Sequence, residues 1–141
     1  MLAIVGAGAQ NPIIQTRYTA DPAACVYGDT LYLYTSVDNE EGEGYQKTFW
    51  QLYTTTDMVN WTDRGTVASL ADFNWANDNG AWAPHVIPRN GKWYMYAPLQ
   101  MLGIGVLVGQ SPTGPWRDPL KRALINHDIR DIDPTAFIDD D

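Results

Sequence analysis

The chain contains one sequence unit twice and the beginning of a third copy, and this repeat constrains the fold more than any other feature. Residues 20–34 and 83–96 each hold a proline, a short apolar run, a tight turn with glycine, and alternating aromatic and aliphatic residues that end in tyrosine. Residues 132–141 start the same unit and reach its turn. Repeats of this length are typical of propellers and solenoids, in which each unit buries its faces against its neighbours.

Each unit has the pattern of antiparallel strands. A glycine turn at residues 28–29 and an Asn-Gly pair at residues 90–91 separate apolar stretches, and Asn-Gly in this setting is the strongest short-range hairpin signal. The other strands of the two units are predicted at residues 51–55 and 104–108 and around Trp61 and Trp116. Long stretches with helical spacing are absent from the sequence, so the predicted fold class is all-β. Four strands in each unit predict a β-propeller, of which this chain supplies about two blades and the first strand of a third.

Two blades and a fragment cannot close a ring. The open end would expose strand edges, which natural proteins rarely leave bare. We therefore expect residues 11–141 to be the N-terminal part of a larger propeller domain, which a second chain or a missing segment completes.

The charge of the chain excludes several classes of partner. The net charge is −8 and the isoelectric point is about 4.4, which argues against nucleic acid and anionic membrane surfaces as partners. The single cysteine, Cys25, lies in an apolar strand, so a buried small hydrophobe is favoured over a reactive thiol. The two histidines lie far apart and paired thiols are absent, so no metal site is predicted.

The first residues resemble a dinucleotide-binding turn, but Asn11 stands where the third glycine is needed and a proline follows it. A better interpretation of residues 1–10 is the remnant of a secretory signal peptide, which predicts a secreted, extracellular protein. Asn60 begins the one N-glycosylation sequon and is a candidate glycosylation site.

Two carboxylates occupy equivalent places in the repeat. Asp21 and Asp133 each precede the proline of a unit, so in a propeller both would lie at one mouth of the central channel. Paired carboxylates are the groups that glycoside cleavage needs, one to activate water and one to protonate the leaving oxygen. The alternative is that Asp-Pro simply shapes the start of a strand or a turn, as we read Asp118, and the second unit has Ala83 at the equivalent position.

The sequence resembles glycoside hydrolase family 43 in motifs that follow the family's order and lie near its spacing: residues 11–14, 18–22, 55–61, 82–86, 131–135 and 138–141. The resemblance implies a five-bladed β-propeller that hydrolyses arabinose- or xylose-containing hemicellulose with inversion. It places the general base at Asp21, and at Asp133 the residue that modulates the pKa of the acid and orients it. The family's general acid is a glutamate on a later blade. The glutamates of this chain all lie in one acidic loop at residues 40–43, so we expect the chain alone to be inactive.

Two residues of the second unit are candidates for substrate binding. The indole of Trp82 is suited to stack on a sugar ring, with core packing as the alternative, and His85 is suited to bond either a sugar hydroxyl or a buried backbone group. The sequence thus predicts a secreted α-L-arabinofuranosidase or β-xylosidase whose partners are a pentose-containing saccharide and a complementary C-terminal chain. A non-catalytic carbohydrate-binding propeller is the alternative. No cofactor is expected, and a structural calcium ion in the channel is left open.

Overall fold

The fold, in the computed structural model of the chain, is a pair of four-stranded antiparallel sheets; residues 12–39, 46–128 and 130–139 are described. The proposed signal remnant and the glutamates of the acidic loop lie outside the described residues. Strands pair in chain order within each sheet. Blade 1 consists of β1 (Thr19–Tyr27), β2 (Thr30–Val37), β3 (Phe49–Thr55) and β4 (Thr62–Ser69). Blade 2 consists of β5 (His85–Arg89), β6 (Lys92–Leu99), β7 (Gly103–Gly109) and β8 (Trp116–Arg117). The predicted all-β class with four strands in each repeat is confirmed.

Both predicted hairpin turns are present, with two-residue loops. In blade 2 the loop residues Asn90 and Gly91 have φ angles of +53° and +72°, as a type I′ turn requires. In blade 1 the first loop residue, Gly28, has a φ of +64°. These turns fix the register of the first two strands of each blade, because the residues on either side of a two-residue loop must pair with each other.

The hydrophobic core lies between the two blades. Trp50 and Leu52 of β3 belong to the same buried cluster as Trp93 and Met95 of β6. The Tyr34 hydroxyl donates a hydrogen bond of 2.7 Å to the carbonyl of Pro112, so a polar contact also joins the blades. Each blade therefore buries one face on its neighbour, as the repeat predicts.

The segment after β8 has little regular structure. Ile125 forms an isolated bridge with Ile104, and no strand is assigned among the described residues from 118 to 139. Phe137 is 82% exposed. A strand needs a neighbour with which to pair its backbone groups, so the first strand of a third blade stays a prediction here.

Two findings concern classes of function. Nowhere in the described part of the chain is there a helix with the length and apolarity needed to cross a membrane. Cys25 is half-buried in β1, and burial raises the pKa of its thiol, which disfavours the reactive thiolate.

Candidate active site

Asp21 lies in a β-bulge near the start of β1. The pairing with β2 shifts register between Ala20 and Ala23, so Asp21 and Pro22 are not paired. Asp21 has a φ of +53°, which is unusual for a residue with a side chain and more so before proline. Bulges redirect side chains and occur often beside active sites, and strained backbone also concentrates there.

The Asp21 carboxylate is anchored through one of its two oxygens. The Ser36 hydroxyl donates to Oδ2 at 2.7 Å and the Lys47 ammonium donates to the same oxygen at 3.1 Å. No described residue donates a hydrogen bond to Oδ1, and the side chain is 39% exposed. One oxygen is therefore held in place while the other is available to a water molecule.

Lys47 is the residue of this site that the sequence analysis missed. Its side chain is 9% exposed, and its ammonium lies 3.6 Å from Asp38 Oδ1, an ion pair beyond hydrogen-bond distance. Buried lysines are rare unless they are paired. The available signal was a lysine two positions before the apolar strand β3, but nothing in the sequence indicates that it contacts a carboxylate 26 positions away.

Asp133 shares the backbone conformation of Asp21 but not its contacts. Its φ of +52° again precedes a proline, so the two repeat positions share this backbone angle, although Asp133 lies outside any strand. Asp133 is exposed, and none of its neighbours within the described ranges forms a hydrogen bond or ion pair with its carboxylate. The structure does not join Asp133 to Asp21, and their convergence stays a prediction.

The other Asp-Pro pair has a different role. Asp118 Oδ1 accepts hydrogen bonds from the backbone N–H groups of Leu120 and Lys121 at 2.9 and 2.8 Å. Its Oδ2 accepts a bond of 2.7 Å from the Trp75 indole. These contacts fix a turn, as the sequence analysis expected of this residue.

The two substrate-binding candidates flank the start of blade 2. The Trp82 carbonyl accepts a hydrogen bond of 2.7 Å from the Trp50 indole, while the Trp82 side chain is partly exposed and outside the buried core cluster. His85 begins β5 opposite Tyr96. It is partly buried, and burial lowers its pKa, so the ring is neutral at pH 7 and offers both a donor and an acceptor. Contact of either residue with a sugar stays a prediction.

The sequon asparagine lies in the exposed turn between β3 and β4. The Asn60 side-chain amide donates to Asp57 Oδ2 at 2.7 Å, and its backbone N–H donates to Asp57 Oδ1 at 2.7 Å. Glycosylation of Asn60 stays a prediction.

A cavity of about 680 Å³ lies beside Asp21. Ala20, Pro22 and Asp38 line it together with the segment before β1, whereas Asp21 does not. Asp21, Ser36 and Lys47 are all outside the lining, so the cavity adjoins the candidate base without containing it.

Comparisons with known proteins show which family the chain resembles. The sequence profile of glycosyl hydrolases family 43 matches residues 9–141. The chain is 34% identical to an arabinoxylan arabinofuranohydrolase of Paenibacillus polymyxa, over 95% of this chain and 25% of that protein. It is 32% identical to the xylosidase/arabinosidase 43A of Humicola insolens, over 92% of this chain and 43% of that protein.

The fold also matches solved structures of family 43 enzymes. A family 43 enzyme from Xanthomonas citri, crystallised with xylotriose, superposes with a TM-score of 0.69 and 35% identity over 76% of this chain and 33% of that chain. The chain thus spans between a quarter and 43% of the length of these relatives. Because the family profile covers nearly all of the sequence, this chain belongs to glycosyl hydrolases family 43.

Proposed function

We propose that this chain is the N-terminal part of an inverting glycosidase of the α-L-arabinofuranosidase or β-xylosidase type, which acts on hemicellulose, with Asp21 as its general base. The names of the relatives support this substrate class. The observation that carries the proposal is the Asp21 carboxylate, in which Oδ2 is held by Ser36 and Lys47 and Oδ1 accepts no bond from the described residues.

The proposed reaction uses a single displacement. Asp21 Oδ1 takes a proton from water as the water oxygen bonds to the anomeric carbon. The bond from that carbon to the leaving oxygen breaks, and this oxygen takes a proton from a glutamic acid on a later blade, which Asp133 orients. The base and acid of inverting enzymes lie roughly 6.5–9.5 Å apart, which leaves room for the water. Trp82 stacks on the sugar and His85 bonds a hydroxyl.

The proposal requires further polypeptide, because the acid is not in this chain. We call this chain together with the polypeptide that supplies the remaining blades the completed propeller. Intact mass and native mass of the purified protein test whether such a polypeptide accompanies the chain. The completed propeller is expected to release nitrophenol from nitrophenyl α-L-arabinofuranosides or β-D-xylosides, and this chain alone is not.

The role of Asp21 is tested by Asp21→Asn in the completed propeller. General acid–base catalysis contributes about 10²–10⁴-fold, so kcat should fall by that factor. Asp118→Asn is the matched control, because Asp118 also precedes a proline but fixes a turn, and this variant should keep kcat. Proton NMR of the first-formed sugar should show the inverted anomer.

Two results would contradict the proposal. Full activity of Asp21→Asn would show that Asp21 is not the general base. A completed propeller that binds pentose oligosaccharides but releases no product would favour the carbohydrate-binding alternative.

A further inference from the structure

We propose that Lys47 is a positioning residue for the catalytic base: its buried ammonium fixes the Asp21 carboxylate so that Oδ1 meets the attacking water. This inference rests on the proposed role of Asp21. Lys47 itself touches neither sugar nor water in the proposed reaction, and it acts through Asp21 alone.

The backbone of Lys47 is fixed before its side chain reaches the carboxylate. Its N–H donates to Asn79 Oδ1 at 2.8 Å, and its carbonyl accepts from the N–H groups of Gly80 and Ala81 at 2.9 and 2.8 Å. Gly80 has a φ of +100°, and a Cβ there would lie 2.1 Å from the Cβ of Gln100, so glycine is required for this close approach. The ammonium is thus carried on a rigid support that joins blade 1 to the loop before blade 2.

The side chain closes a three-membered polar cluster with Asp21. Lys47 Nζ donates to the Ser36 hydroxyl at 3.0 Å and to Asp21 Oδ2 at 3.1 Å, and Ser36 donates to the same Oδ2. A hydroxyl has one hydrogen and rotates freely, so Ser36 alone does not define the carboxylate plane. The Lys47 ammonium is a second donor to Oδ2 and approaches from outside β2, so the two donors together restrict rotation of the carboxylate.

The positive charge of Lys47 is a second reason why Asp21 depends on this residue. The ammonium lies within 4 Å of two carboxylates, those of Asp21 and Asp38. Without the ammonium, two like charges would remain close together in a partly exposed site, and their repulsion would disfavour the present position of the Asp21 carboxylate. The Asp21 and Asp38 side chains are 39% and 35% exposed, so water can solvate part of each, but Asp38 Oδ1 is itself buried and accepts no hydrogen bond from the described residues. Loss of the lysine is therefore expected to lower stability without abolishing the fold.

The main experiment compares Lys47→Met with Lys47→Arg in the completed propeller. A misplacement of about 1 Å costs on the order of 10²-fold in rate, so Lys47→Met should lower kcat by about that factor while KM stays within about twofold. Lys47→Arg keeps the charge but changes the donor geometry, so it should recover part of kcat. Lys92→Met is the matched control, because Lys92 is exposed at the start of β6, and it should leave both parameters unchanged.

A double-mutant cycle separates positioning from a structural role. If Lys47 acts through Asp21, then Lys47→Met should cause no further loss of kcat in an Asp21→Asn background, measured with an activated aryl pentoside. Asp38→Asn leaves the Lys47–Asp21 pair in place and should change kcat by less than about threefold. If Lys47→Met does not fold, Lys47→Gln, which keeps an N–H donor without the charge, takes its place in both backgrounds.

Each contrary outcome has a distinct meaning. Equal losses of kcat from Lys47→Met in the wild-type and Asp21→Asn backgrounds, or wild-type kcat for Lys47→Met, would overturn the positioning role and leave Asp21 as the base. Full activity of Asp21→Asn alone would overturn the proposed function, and with it any role of Lys47 that acts through Asp21.

Discussion

Replacement of Trp50 by phenylalanine tests how the two blades are joined. Trp50 is fully buried in β3, and its indole N–H donates 2.7 Å to the carbonyl of Trp82, in the loop before blade 2. The Trp50 and Phe73 rings also form an edge-to-face pair, with 6.4 Å between their centroids and 72° between their planes. The variant Trp50→Phe removes the donor and part of this aromatic contact but keeps an apolar ring in the core.

The expected loss of stability follows from these two contacts. Loss of the hydrogen bond from Trp50, whose ring is fully buried, costs about 1–3 kcal/mol when no water takes its place at the Trp82 carbonyl. An edge-to-face aromatic pair contributes about 0.5–1.5 kcal/mol beyond its buried area, part of which the smaller ring loses. Together these predict that the free energy of unfolding falls by about 1–4 kcal/mol for Trp50→Phe.

Trp75 offers a closely matched control. Its indole also donates a 2.7 Å hydrogen bond, to Asp118 Oδ2, and its ring meets the same Phe73 at 5.6 Å and 75°. Both Trp75 and Asp118 are partly exposed, so water can replace the lost donor. We expect Trp75→Phe to cost about 1 kcal/mol or less.

The measurement is equilibrium unfolding in urea followed by far-UV circular dichroism, with unchanged m-values as the check that the variants unfold as the wild type does. A loss below about 0.5 kcal/mol for Trp50→Phe would refute the reasoning, since that is the range of ordinary surface changes. Equal losses for the two variants would show that burial of the indole donor does not decide the cost.

Two further predictions concern a close approach in the core and an exposed turn. Gly105→Ala places a Cβ 2.6 Å from the Phe73 ring, which also packs against Trp50 and Trp75 and so has little room to move. Urea unfolding should therefore show a loss of about 1–3 kcal/mol that a second change, Phe73→Leu, partly restores. Hydrogen bonds from Asn60 lower the pKa of Asp57 below its ordinary value, so the stability that Asp57 contributes is complete at neutral pH and is lost as pH falls below about 4. The difference in Tm between wild type and Asp57→Ala should therefore shrink on acidification, and a difference that grows would contradict the assignment.

The fold was largely predictable because its signals are local. The Asn90–Gly91 pair specifies its hairpin through two adjacent residues, and the alternation on either side specifies which faces are buried. The repeat extended this local reading to whole blades. After β8 the strand prediction could not be confirmed, because the pairing of residues 132–139 depends on a neighbouring strand that local sequence does not supply.

The candidate site was predictable only in part, for the same reason. The position of Asp21 before the proline of a repeat identified it, because that signal is sequential. Lys47 was missed because its contact with Asp21 arises from the packing of strands and loops across 26 positions, and no spacing rule encodes it. The bulge that turns Asp21 away from regular pairing was likewise not visible, since any residue pair at the start of a strand permits one.

Asp21 and Asp133 share a left-handed φ but differ in the contacts that hold it. A non-glycine residue with left-handed φ persists when its surroundings hold it there, at a cost of about 1–3 kcal/mol. At Asp21 the holding contacts are present, from Ser36 and Lys47. At Asp133 the described residues provide none, so we expect the next blade to provide them. The proposed base, Asp21, is thus already anchored within this chain, whereas Asp133 has the same φ without such contacts. For this reason we expect activity to depend on the completed propeller.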